Sequence, residues 1–200
     1  MIAVIDYGAG NLRSIVNGLR KVGAEAEVVA EPDGLRNADA VVLPGVGSFG
    51  EAMVKLSEFK PAVKEFVDSG RPFLGLCLGI QVIFDSSEES PGAEGLGLFR
   101  GTCMRFTGDM KIPHMGWNTI KKVSYSPLLE GIGQGEQFYF VHSYYAVPEK
   151  ESIVSAKTEY GVEFPSVITR DNIHATQFHP EKSGDQGLKV LENYVKLVKR

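Results

Sequence analysis

The chain has 200 residues, 43% of them hydrophobic and 23% charged, which is a one-domain length with enough apolar residues to close a core. That composition excludes disorder, collagen-like repeats and coiled coil. A net charge of −4 lacks the basic excess of a nucleic-acid-binding domain, and two cysteines supply neither a disulfide scaffold nor a four-ligand zinc site.

Glycine is the outlier. The chain has 23 glycines, where average usage would give about 14. Glycine goes where the backbone takes positive φ or approaches another group closely, so the excess marks either a loop-rich surface or a site lined by backbone. The apolar run at Met1–Asp6 is too short for a signal-peptide core and has no basic lead. The apolar stretch near Pro72–Phe84 is broken by glycines and falls short of the roughly 20 residues of a membrane span. The expectation is a cytoplasmic protein with no membrane partner.

Strand and helix signals alternate through the first half. Ile2–Asp6 reads as a buried strand, followed by a turn over Tyr7–Asn11. Leu12, Ile15, Val16, Leu19 and Val22 form a helical stripe that Gly23 stops. Ala26–Ala30 and Ala40–Leu43 read as the next strands, the latter running into Pro44-Gly45-Val46-Gly47. Ser48 is placed to cap a helix carrying Met53 and Leu56, and Val63, Phe66 and Val67 mark another. Pro72–Leu76 reads as a fourth strand and Gly79–Phe84 as the start of a further helix. Such βαβ units imply a mainly parallel sheet flanked by helices, a flavodoxin-like α/β fold, with ligands beyond the carboxyl ends of the strands.

The second half reads differently. Ser86–Gly97 is a polar loop. Thr102–Phe106, Thr119–Val123, Gln137–Val141, Ile153–Lys157, Ser166–Thr169 and His174–Phe178 read as short strands, expected as antiparallel additions to the sheet. Pro113–Trp117 lies outside any periodic element. Leu188, Leu191, Val195 and Val198 give a closing helix. No linker or internal repeat divides the chain, so residues 1–200 are expected to form a single domain.

The chemistry concentrates in Gly75-Leu76-Cys77-Leu78-Gly79, a Gly-x-Cys-x-Gly string between a strand and a helix. This is a nucleophile-elbow pattern with cysteine as the nucleophile. A sharp turn lifts the thiol to the sheet edge, where a helix N-terminus offers free N–H groups. A packed core cysteine is the competing reading. His179 and Glu181 flank Pro180, and in an extended segment residues two apart share a face, so Glu181 can orient the imidazole; a surface histidine beside a solvated glutamate is the bland alternative. The Leu78 N–H and the glycine-rich Val46–Gly47 backbone are candidate oxyanion donors, although the latter also fits an ordinary tight turn. Trp117, the only tryptophan, suits either a core or an interface. Cys103 and His174 read as packing residues.

Together, Gly75–Gly79 and His179-Pro180-Glu181 resemble the class I, or triad, glutamine amidotransferase family. Pro44–Gly50, Pro113–Asn118 and Tyr139–Tyr144 narrow the resemblance to the glutaminase subunits of imidazole glycerol phosphate synthase, of histidine biosynthesis, over essentially the whole chain. The resemblance implies that Cys77 attacks the carboxamide of L-glutamine, His179 moves the proton and Glu181 orients it. It implies an oxyanion hole from Leu78, Val46 and Gly47 that a peptide flip completes. It places Gly47, Gln81, His142, Ser143 and Tyr144 around the glutamine. It also implies a (β/α)₈-barrel cyclase partner in a heterodimer, met by Asn11, Met115, Trp117, Tyr139 and Lys182, and no metal or cofactor. The triad is shared with the glutaminase subunit of pyridoxal phosphate synthase, against which Pro113–Asn118 argues. A non-catalytic binding module on the same sheet is the reading from another class.

Overall fold

The computed structural model describes residues 1–198. Its first half holds strands β1 (Ile2–Ile5), β2 (Ala26–Val29), β3 (Ala40–Leu43) and β4 (Phe73–Leu76). Helices α1 (Leu12–Lys21), α2 (Phe49–Lys55), α3 (Phe59–Asp68) and α4 (Leu78–Val82) lie between and after them. Then follow β5 (Ser86–Ser87), β6 (Gly101–Arg105), β7 (His114–Thr119), β8 (Lys121–Lys122), β9 (Gln137–His142), β10 (Tyr144–Pro148), β11 (Val154–Tyr160), β12 (Val162–Arg170) and β13 (Ile173–Thr176). Helix α5 (Gly184–Val198) closes the fold.

The main sheet has the order β2-β1-β3-β4-β13-β12-β11-β8. Its first five strands are parallel and the last three are added antiparallel. Strands covered by helices on both faces must be apolar throughout, which is why β1, β3 and β4 are continuous hydrophobic runs. Alternate residues serve opposite cores. Ala3, Ile5, Val41, Leu43 and Phe73 face α2, α3 and α4, whereas Ile2, Val4, Val42, Leu74 and Leu76 face α1 and α5.

The flavodoxin-like expectation holds, with three differences in the second half. The strand at His174–Phe178 is β13, which pairs parallel to β4 rather than antiparallel. The remaining strands do not all join the main sheet: β10-β6-β5 and β7-β9 form two smaller sheets. Pro113–Trp117, expected to lie outside regular structure, enters β7, which pairs antiparallel with β9. Its glycine and histidine gave no β-propensity signal, and cross-strand pairing supplied what propensity did not.

Among the described residues, no helix is long and apolar enough to cross a membrane.

Candidate active site

The parallel order fixes where the site lies. The carboxyl ends of β1, β3, β4 and β13 open on one edge, and the chain order reverses between β1 and β3. Tyr7, Gly45–Gly47, Cys77 and His179 all follow those ends.

Cys77 stands between β4 and α4 with φ 55° and ψ −104°. A non-glycine residue rarely takes this conformation, and the surrounding packing must hold it there. Three glycines let the backbone close around the turn. A Cβ on Gly75 would lie 2.8 Å from the Gly79 carbonyl oxygen, one on Gly79 would overlap the Leu43 carbonyl oxygen, and one on Gly45 would lie 2.6 Å from Leu78 Cβ. The Cys77 N–H donates to the Thr176 carbonyl at 2.9 Å, tying the elbow to β13.

His179 comes from the other side. It is followed by a 3₁₀ turn over Pro180–Lys182, so the segment is not extended as expected. The turn, and not an extended face, brings Glu181 Oε1 to 2.8 Å from His179 Nδ1, with both side chains nearly sealed from solvent at 5% and 1% exposure. Pro180 favours this turn because its ring presets φ at the first helical position. Ser183 fixes the loop: its hydroxyl donates to the His179 carbonyl at 2.6 Å and accepts from the Tyr139 N–H at 2.9 Å. Burial alone would lower the His179 pKa, but the Cys77 sulfur and then the Glu181 carboxylate oppose it, and the net shift is upward, to about 10. His179 Nε2 is buried and has no hydrogen-bond partner among the described residues. It is the ring atom left for chemistry.

A pocket of about 340 Å³ joins these groups. Val46, Gly47, Cys77, Leu78, Gln81, His142, Ser143, Tyr144 and His179 line it, so the expected glutamine residues and the triad's cysteine and histidine converge on one cavity. Two of them are braces. Gln81 Nε2 donates to the Tyr144 carbonyl at 2.9 Å, and both His142 ring nitrogens are already bonded within the protein.

One of the expected oxyanion donors is already engaged. The Leu78 N–H donates to the Gly45 carbonyl at 3.3 Å and is therefore engaged. Tyr7, read from sequence as turn chemistry, is also part of the site. Burial, then the neighbouring Cys77, raises the Tyr7 pKa above the usual tyrosine value, and the nearby Val46 backbone N–H partly offsets the shift.

Glu89, also unanticipated, is the one acidic side chain among the residues lining the pocket. Its carboxylate accepts from the Phe49 N–H at 2.7 Å, and Ser90 Oγ accepts from the Gly50 N–H at 3.0 Å. These two cap α2, whereas Ser48, the expected cap, makes no side-chain cap bond. A cap supplied from about 40 residues away leaves no local signal.

The expected partner residues form an exposed patch beside the pocket. Met115 and Trp117 are 60% and 55% exposed on β7, which settles Trp117 as a surface residue in this chain. Trp117 pairs with Tyr139 across the sheet, ring centroids 6.2 Å apart, and Lys182 Nζ lies 5.9 Å from the Tyr139 ring. Asn11 stands apart in sequence at the head of α1, where its side chain accepts from the Ser14 N–H at 3.3 Å. Helix α1 packs against the turn carrying Lys182.

The class is defined by this arrangement: an α/β protein with a cysteine on a strand–helix elbow, served by a histidine whose far nitrogen is held by a glutamate. The class-I glutamine amidotransferase family model matches residues 3–197, and the chain belongs to that family of enzymes. Among its relatives is "imidazole glycerol phosphate synthase subunit HisH" of Methanothermobacter thermautotrophicus, 55% identical over 199 residues and covering 100% of both chains. The protein of the same name from Methanocaldococcus jannaschii is 50% identical over 198 residues, covering 99% of this chain and 100% of its own. The fold is shared with the structure of PurLQS from Thermotoga maritima, at TM-score 0.79 and 19% identity over 98% of this chain and 97% of that one.

Proposed function

We propose that the chain is one glutamine amidotransferase domain that hydrolyses L-glutamine to glutamate and ammonia, as the glutaminase subunit of a cytoplasmic imidazole glycerol phosphate synthase. The single observation that carries this reading is the convergence of Cys77, His179 and the His179–Glu181 bond on one pocket. The relatives' shared name supports the choice of synthase.

In this mechanism the Cys77 sulfur attacks the glutamine carboxamide carbon, its proton held by His179. A tetrahedral oxyanion forms and collapses as His179 Nε2 gives that proton to the departing ammonia. Glu181 keeps Nδ1 as the donor nitrogen and stabilises the charged ring. Water then attacks the thioester, His179 takes its proton, and glutamate leaves as the thiol is restored. Glu89, a carboxylate in a pocket otherwise free of acids, suits the α-ammonium of the substrate.

The oxyanion step needs a backbone rearrangement. The Gly45 carbonyl and the Val46 N–H belong to one peptide unit, and that carbonyl covers the Leu78 N–H. Rotating this unit frees the Leu78 N–H and turns the Val46 N–H inward in a single movement. Val46 is 41% exposed and nothing crowds Gly47, so the turn is open on its Val46–Gly47 side, while Gly45 is packed against Leu78 and Tyr7. The cyclase subunit, a (β/α)₈ barrel docking on Asn11, Met115, Trp117, Tyr139 and Lys182, drives that rotation and receives the ammonia.

Glutamate release is measured with and without the cyclase. Cys77→Ala is expected to lose activity on the order of 10⁶-fold, to background. Undiminished release by that variant overturns the mechanism. Copurification with a pyridoxal phosphate synthase barrel, and not the cyclase, overturns the assignment of partner.

A further inference from the structure

A directed line of hydrogen bonds runs through the β7–β9 sheet, outside the triad. Asn118 sets its direction. Its Oδ1 accepts from the Thr119 N–H at 2.8 Å, and its Nδ2 donates to the Glu159 carbonyl at 3.0 Å. Both partners are backbone groups with only one possible role, so the amide orientation is fixed. The other Nδ2 proton points to His114 Nε2 at 3.1 Å, which therefore accepts. His114 Nδ1 then carries the ring proton and donates to His142 Nε2 at 2.9 Å. His142 Nδ1 in turn donates to the Tyr144 carbonyl at 2.8 Å. A carbonyl can only accept, so the far end requires the same direction that Asn118 imposes.

The line is dry. His114 stacks on Tyr160 and Phe140 at 4.1 and 5.0 Å between ring centroids, and His142 lies 5.0 Å from Phe164. Burial holds both imidazoles below the ordinary histidine range, His114 at about 4 and His142 at about 3, so both rings are neutral near pH 7. A neutral histidine has one donor and one acceptor nitrogen, and here all four nitrogens are used.

Its two ends face different things. Residues alternate along β7, so Met115 and Trp117 point outward while His114 is buried beneath them. At the other end, the Tyr144 carbonyl also receives the Gln81 amide, and His142, Tyr144 and Gln81 line the pocket with Cys77. Pressure on Met115 and Trp117 acts on the strand that carries His114 and Asn118. The line cannot reverse to absorb the movement, because both of its ends are fixed by backbone groups.

We propose that His114 is a positioning residue: the Asn118–His114–His142–Tyr144 line holds the pocket wall and couples its position to the exposed face of β7. This rests on the reading of the pocket as the glutamine site and of β7 as the cyclase face.

Two measurements on the full chain test it. Long-range ¹H–¹⁵N NMR near neutral pH should show His114 and His142 both neutral with the proton on Nδ1. A protonated ring or an Nε2–H tautomer at either position overturns the proposal, whatever the activity. In the complex with cyclase, His114→Phe keeps a stacking ring but removes the donor, and His114→Asn keeps an N–H near Nδ1. Loss of a buried hydrogen bond should raise the glutamine KM of His114→Phe about tenfold with kcat within about twofold, and His114→Asn should stay within about threefold of the parent. Equal impairment of both variants, or an unchanged KM in His114→Phe, overturns it. Asn118→Asp, at the partly exposed end, replaces the donor with an acceptor; it should move the His114 proton to Nε2 and raise KM, and no change in either overturns the proposal. Cys77→Ala run alongside separates the two failures, since residual release there discredits the glutaminase reading and leaves the tautomers still readable.

Discussion

The two walls of the pocket are built by different physics. The cysteine wall is a matter of backbone and steric exclusion. Cys77 is held at positive φ, and Gly45, Gly75 and Gly79 let three segments close around it with no room for a Cβ. The histidine wall is a matter of side-chain hydrogen bonds. Glu181 fixes one His179 nitrogen, and Ser183 ties the His179 carbonyl to the Tyr139 N–H. The first wall should tolerate almost no substitution, because a displaced backbone moves everything attached to it. The second should be separable, because each bond can be removed in an intact fold. The two free cysteines show the same division. Cys77 faces the pocket, while Cys103 is wholly buried on β6 with its thiol pushed up by burial.

The sharpest way to break the histidine wall alone is Glu181→Gln. The amide keeps the shape but not the charge that stabilises a protonated ring, and it can present the wrong hydrogen-bonding atom to Nδ1. Glutamate release in the complex should fall on the order of 10³–10⁴-fold with the melting temperature little changed, by analogy with the carboxylate of serine triads. A comparable loss of folding would show that this wall is structural after all.

The cysteine wall gives the opposite signature. Gly79→Ala drives a methyl into the Leu43 carbonyl. Denaturant unfolding should show a loss of about 2–3 kcal/mol, together with lost activity. A stable and active Gly79→Ala would remove the steric account.

The last contrast is in pH. His179 has a raised folded pKa, about 10, against an ordinary value of about 6.5. Its contribution to stability is full below about 6.5 and is lost as pH climbs toward 10. His114, His142 and His174 are lowered by burial to about 4, 3 and 4. Their contribution is full above about 6.5 and is lost as pH falls through those values. The denaturation midpoint should therefore decline on both sides, and Glu181→Gln should make only the alkaline limb shallower, the Cys77 contribution remaining. A matching change on the acid limb would contradict the separation of the two histidine groups.

Much of the cysteine wall was legible in the sequence. Apolar runs that fit strands buried on both faces, and glycines flanking one cysteine, are local signals, and they gave β1, β3, β4 and the elbow nearly residue for residue. The histidine wall was legible only in its members. His179 and Glu181 were paired for the wrong reason: an extended face was expected where a 3₁₀ turn makes the contact. Glu89 and Tyr7 left no signal, because each joins the site through a partner about 40 residues distant: Glu89 through Phe49, Tyr7 through Val46.

The sequence by itself determined the class of fold and pointed to Cys77 and His179 as the proposed reactive pair, because hydrophobic period and turn glycines act within a few residues of chain. Only the tertiary structure decided how β7 pairs, which N–H groups are free to meet an oxyanion, and which way the protons point from Asn118 to Tyr144. Those depend on which segments meet in space, and a donor or acceptor has no role until its partner is beside it.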